Sequence, residues 1–121
     1  HAVVDGHTWY WPAGKDTVLH EVGGVRLLAP FDPVVWDRRR FEMLWGWAYR
    51  FEAYTPAPKR KLGYYALPML WRDRVIGWAN VTRGDRSHVV DCGYVSGRPP
   101  RDRGFKQALE QDIDALRRFL A

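Results

Sequence analysis

The chain is poor in the residues that carry most simple chemical signatures. It has one cysteine, Cys92, so no internal disulfide can form, and a lone thiol makes no metal site. Its plainest role is that of a small apolar side chain. No apolar run approaches the roughly 20 residues that cross a bilayer, so no membrane partner is expected. No basic start leads into an apolar stretch, so no secretory signal is visible. These absences suit a reducing, cytoplasmic location. The first residue is His1 and not Met, so further residues are expected upstream.

Catalytic patterns are missing too. His1, His7, His20 and His88 have no metal-ligand spacing, and neither HExxH nor a nucleophile elbow occurs. Gly23-Gly24 lacks the pattern of a phosphate loop. Asp32, Asp37, Glu42 and Glu52 could supply a carboxylate pair, but capping and salt bridging account for them equally well. No cofactor or metal is expected, and no catalysis by this chain alone. Repeats and low-complexity tracts are absent, so residues 1–121 are expected to form one domain.

What is present is positive charge, unevenly spread. Fifteen arginines stand against four lysines, and the net charge is +5. Residues 25–75 hold ten basic and five acidic side chains, whereas residues 105–121 balance at three each. Arginine's planar fork suits phosphate, so a polyanion is the favoured partner. A GC-rich genome would also raise the arginine count.

The pattern of elements predicts an α+β fold, mainly β: a small antiparallel sheet or barrel with one short internal helix and a C-terminal amphipathic helix. Asp5-Gly6 is a hairpin turn pair between Ala2–Val4 and residues 8–11. Strands are expected over residues 17–22, 25–28, 64–70, 75–81 and 88–95, the last broken at Gly93. Residues 47–52 alternate, with Trp47, Tyr49 and Phe51 on one side and Ala48, Arg50 and Glu52 on the other. Asp37 reads as the N-cap of the short helix. Trp36 and Phe41 have hydrophobic-staple spacing, and Gly46 marks the end. Trp45, Trp47, Tyr49 and Trp78 are expected to be largely buried. In the last helix, capped by Asp102, the residues Phe105, Ala108, Leu109, Ile113, Leu116 and Leu120 form an apolar stripe. Lys106/Glu110 and Asp114/Arg118 are spaced as surface pairs. This helix is expected to lie as a lid on the sheet.

Two basic clusters are the candidate binding residues. Arg38, Arg39 and Arg40 fall in the first turn of the short helix, where the macrodipole disfavours cations by roughly 0.3–1 kcal/mol each. A phosphate there would meet free N–H groups, the dipole and guanidinium forks together. The alternative is pairing with Asp32, Asp37 and Glu42. Lys59, Arg60 and Lys61 fall near the tip of residues 55–63, TPAPKRKLG, stiffened by Pro56 and Pro58 and expected as a hairpin loop between strands. A stiff basic hairpin can reach along a nucleic-acid groove, with Leu62 or Tyr64 stacking or wedging beside it.

The segments LLAPFDPVVWDRRR, YRFEAYTPAPKRKLGYY, ALPML and DRVIGWANV, with the terminal helix, resemble the C-terminal part of the YcaQ/AlkZ-type winged-helix DNA glycosylases. The likeness covers roughly residues 20–120. In that family a Gln/Asp-type catalytic motif lies in the N-terminal winged-helix units. The C-terminal part is a β-barrel-like domain that helps form the DNA cleft. The resemblance therefore implies a catalytically silent fragment of a longer protein, in an enzyme family that unhooks interstrand crosslinks and removes alkylated bases. Its implied partners are double-stranded DNA, bound weakly and non-specifically, and the winged-helix region of the same protein. Arg38, Arg39, Arg40, Lys59, Arg60 and Lys61 would lie on the DNA-facing side. Asn80 stands where the resemblance leads one to expect Asp. The rival reading is a structural buttress that docks on the winged-helix part without touching DNA. A third is a binder of RNA or single strands through exposed aromatics.

Overall fold

The computed structural model describes residues 1–13 and 23–121. The strand expected over residues 17–22 lies outside them. The fold is α+β. Strands β1 (Ala2–Val4) and β2 (His7–Trp9) form a hairpin of their own, in register Ala2↔Trp9 and Val4↔His7. Its turn residues Asp5 and Gly6 have φ of 50° and 75°, the left-handed pair that a tight hairpin needs. The second sheet is an antiparallel meander of β3 (Val25–Leu27), β4 (Ala66–Trp71), β5 (Arg74–Arg83) and β6 (His88–Tyr94), in that order. Among the described residues β3 and β6 are its edges, so there it is an open sheet and not a closed barrel.

The sheet is covered on both faces. A register shift between Met69 and Leu70 gives β5 an extra residue, so Met69 pairs with Gly77 but Leu70 with Val75. The bulge reverses the alternation. Val75 and Trp78 therefore join one core cluster while Ile76 and Ala79 join the other. Strand β6 runs straight through Gly93, which pairs with Trp78 and does not break it. A Cβ on Gly93 would lie 2.4 Å from the Trp78 ring, so glycine here makes room for the indole.

On the first face lie α1 (Pro33–Trp36) and α2 (Arg38–Trp45). The sequence reading missed α1, although Asp32-Pro33 is an N-cap followed by a proline at the first helical position. Asp37 caps α2 by accepting from Arg40 N–H at 3.0 Å, and Gly46 closes it at φ 75°. Phe41 is fully buried. The rings of Trp45, Trp47 and Tyr49 lie 4.9, 5.0 and 5.9 Å from it. Trp36 is exposed and meets Phe31, not Phe41, so the expected staple is not made.

Residues 47–52 are not a strand. They lie over the sheet, where side-chain donors take the place of a ladder. Trp45 and Trp47 indoles donate to the Asp73 and Val75 carbonyls at 3.2 and 2.9 Å, and the Tyr49 hydroxyl donates to Ala66 O at 2.6 Å. The expected sidedness holds from Trp47 to Phe51. Tyr49 is buried, while Trp45, Trp47 and Trp78 are only half-buried.

The second face is covered by α3 (Arg103–Leu120), the expected lid. Asp102 caps it, accepting from Gly104 N–H at 2.8 Å, and also pairs with Arg72 at 2.8 Å. Phe105 is buried between Trp71 and Tyr94, at 5.3 and 6.0 Å. The helix crosses the sheet from edge to edge. Leu27 N–H of β3 donates to Asp112 at 2.9 Å, and Arg117 donates to His88 O of β6 at 3.1 Å. The surface pairs differ from those expected. Asp114 meets Arg117 at 3.6 Å, and neither Lys106/Glu110 nor Asp114/Arg118 forms an ion pair. Cys92 is half-buried in this cluster, and burial pushes its thiol up. No helix among the described residues is long and apolar enough to cross a membrane.

Glu52 breaks the alternation, because it is turned inward and has no exposed surface. Its carboxylate accepts from Lys61 N–H at 2.8–2.9 Å and from Leu62 N–H, closing the loop between residues 52 and 62. Burial alone would raise its pKa. The N–H groups of Leu62, Lys61 and Gly63, with the Arg50 charge, outweigh that and hold it below the ordinary value of 4.5. A depressed folded value means that the carboxylate stabilises the fold above the ordinary value, and that this contribution is lost as pH falls through the folded value. Glu52→Gln should therefore melt roughly 5–10 °C lower at neutral pH, since one amide oxygen cannot satisfy the same donors. The gap to wild type should narrow as pH falls below 4.5. Equal melting midpoints at neutral pH would show that the carboxylate holds nothing.

Candidate nucleic-acid interface

The three arginines of α2 have three different environments. Arg38 donates to the carbonyls of Pro30 and Val35 at 3.1 and 2.8 Å, and its guanidinium lies 4.6 Å from the centre of the Tyr49 ring. Burial pushes its pKa down from the usual arginine value, with Tyr49 opposing. Burial likewise pushes the Tyr49 phenol up to about 12, with Arg38 opposing, so it stays a neutral donor to Ala66 O. Arg40 donates to Pro33 O. Both side chains thus serve carbonyls at and around α1. These carbonyl dipoles offset the unfavourable placement of cations at the start of α2. Arg39 is exposed, with no hydrogen bond or ion pair among the described residues. The alternative of pairing with nearby acids does not occur. Asp32 caps α1 by accepting from Val34 N–H at 2.9 Å, Asp37 caps α2, and Glu42 forms no ion pair.

The second cluster sits on a closed loop and not on a strand-flanked hairpin. A short 3-10 turn, Ala57–Lys59, is followed by the donors that Glu52 gathers. Arg60 folds back, donating to Thr55 O at 2.8 Å and lying 5.0 Å from the centre of the Tyr64 ring. Lys59 and Lys61 point their charge to water, with no ion pair among the described residues. Leu62 packs against the core, so it is no wedge. Its carbonyl accepts from Asn80 Nδ2 at 2.7 Å. An aspartate at this position would lack that donor. Gly63, at φ 130°, passes so close to Asn80 that a Cβ would lie 2.3 Å from its side-chain oxygen.

These contacts bring the two clusters to one end of the sheet. Arg38 covers Tyr49, Tyr49 is bonded to Ala66, Ala66 pairs with Asn80, and Asn80 holds Leu62. Arg39, Lys59 and Lys61 are the cations left available there, while Arg38 and Arg60 are built into the fold and Arg40 is partly so. Exposed aromatics that sequence reasoning missed lie at the same end: Phe31, Trp36, Tyr54 and Tyr65, linked through Phe51. Phe31 and Tyr54 fall in no expected helix or strand, which was the signal for them, whereas Trp36 reads as part of a staple and Tyr65 as part of a strand. A cavity of about 600 Å3 lies at the opposite end, between Trp45, Trp47, Arg74, Tyr94 and Arg98.

The division between built-in and available cations is testable by mutation. Arg38→Ala removes two hydrogen bonds to carbonyls and a stacked guanidinium, and should cost about 2 kcal/mol of stability in a denaturant titration. Arg39→Ala should leave stability within about 0.5 kcal/mol of wild type. Equal losses at both positions would erase the distinction.

The whole arrangement can be set beside known proteins. The model of one family, described as DNA glycosylase AlkZ-like, matches residues 1–119. No solved structure matches the chain. With nearly its whole length matched, the chain belongs to the AlkZ-like DNA glycosylase family.

Proposed function

We propose that this chain is the C-terminal, DNA-cleft-forming domain of a glycosylase that excises alkylated or crosslinked bases, with the catalytic groups on a winged-helix region upstream. The observation that carries this reading is the placement of Arg39, in the first turn of α2, and of Lys59 and Lys61, on the loop that Glu52 closes, toward one end of the sheet, with no ion pair among the described residues. Such cations do little for the free protein. Against a phosphate backbone each releases counterions and contributes sequence-independent affinity. The carboxylates fit this division of labour. Asp32 and Asp37 are occupied as caps and Glu52 is buried on N–H groups, so these three are not poised as acid–base partners.

A second reading, the buttress that never touches DNA, draws on another surface. Val3, Val4, Tyr10 and Trp11 are exposed on and beside the N-terminal hairpin, which shares a cavity of about 220 Å3 with Met43 and Leu44 of α2. That face suits docking of another domain.

Salt dependence separates the two. Lys59→Ala with Lys61→Ala should weaken duplex binding and lower the slope of log affinity against log salt by about 2. A slope equal to that of wild type would remove the loop from the interface and favour the buttress.

A further inference from the structure

We infer that the aromatic surface between the two cation groups is a stacking platform for unpaired DNA bases. Trp36 is 66% exposed, Phe31 59% and Tyr54 94%, an unusual amount of ring surface left in water at one place. The rings are not loose. Phe31 and Trp36 lie 6.0 Å apart, and Phe51 holds Phe31, Tyr65 and Tyr54 at 5.5, 5.2 and 6.3 Å, all three edge-on. Half-buried Phe51 ties the group to the core. The result is a continuous, braced band of ring surface.

Charge decides the occupant. Arg39 follows Trp36 by three residues, in the first turn of α2, and Lys59 and Lys61 lie on the loop that runs from Tyr54 to Tyr65. Of the four acids in this part of the chain, Asp32, Asp37 and Glu52 have oxygens directed at backbone N–H groups. Aromatic rings interleaved with available cations match a strand whose bases stack while its phosphates are neutralised. An intact duplex presents edges and phosphates but no free base faces, so it would use the cations and leave the rings idle. Excision of a base requires taking it out of the stack, which leaves unpaired bases nearby to be held. The inference rests on the proposal that this end of the sheet faces DNA.

The test compares a fluorescent oligothymidine with a blunt duplex, both titrated with the full chain at one salt concentration. Trp36→Ala and Tyr54→Ala alter exposed side chains, and thermal melts check that each variant is folded. Each should weaken oligothymidine binding about tenfold and leave duplex binding within about twofold. Trp36→Phe should restore most of the loss. Oligothymidine binding equal to wild type in both alanine variants overturns the platform, even where duplex binding by Lys59 and Lys61 stands. Ring-dependent oligothymidine binding without any duplex binding upholds the platform and overturns the cleft reading. A dimer in sedimentation that Trp36→Ala dissolves would also overturn it, by showing that a second copy covers the rings.

Discussion

The interaction on which the proposed DNA-facing end of this protein depends is the buried carboxylate of Glu52. A loop rich in cations and prolines has no apolar stripe to anchor it, and its like charges repel. Glu52 supplies the anchor by gathering the N–H groups of Lys61 and Leu62. Burying a charge is costly unless it is hydrogen-bonded, and here the bonds outweigh the desolvation. Because the bonds go to the backbone, the lysine side chains remain available. Asn80 then ties the same loop to β5, and Gly63 permits the close approach. A single inward-turned acid thus converts a solvated stretch into a fixed presentation of Lys59 and Lys61.

The same economy of partners governs the start of α2. Three cations in the first helical turn oppose the macrodipole, yet α1 places carbonyls within reach of two of them. Arg38 and Arg40 are thereby absorbed, and Arg39 is left outward. Arg38 also couples this turn to the core through the Tyr49 ring. Tyr49, bonded to Ala66, and Asn80, opposite Ala66 on β5, thus link the two cation groups to one end of the sheet. On the proposed reading that end faces nucleic acid, and the exposed hairpin surface suits a neighbouring domain.

Features that rest on local chemistry were legible in the sequence. The Asp5-Gly6 hairpin, the Asp37 and Gly46 boundaries of α2 and the Asp102-capped α3 depend on neighbours a few residues away. Features decided by distant partners were not. Residues 47–52 alternate like a strand but hang from indole and phenol donors, because their rings fill a face and not an edge. The bulge in β5 shifts phase after Val75, which no period-two reading can follow. Glu52 looks solvent-facing until its loop closes over it. Which of the six candidate cations are spent on carbonyls became visible only once α1 and the loop were in place.

The central claim is that the Glu52 latch, and not the count of positive charges, makes the interface. The most direct measurement is duplex DNA affinity across a salt series for Glu52→Gln, at a temperature where melting shows the variant folded. Every arginine and lysine is retained in that variant. The account predicts weaker binding and a shallower salt slope, because Lys59 and Lys61 no longer stand in fixed positions. Affinity and slope equal to those of wild type would contradict it.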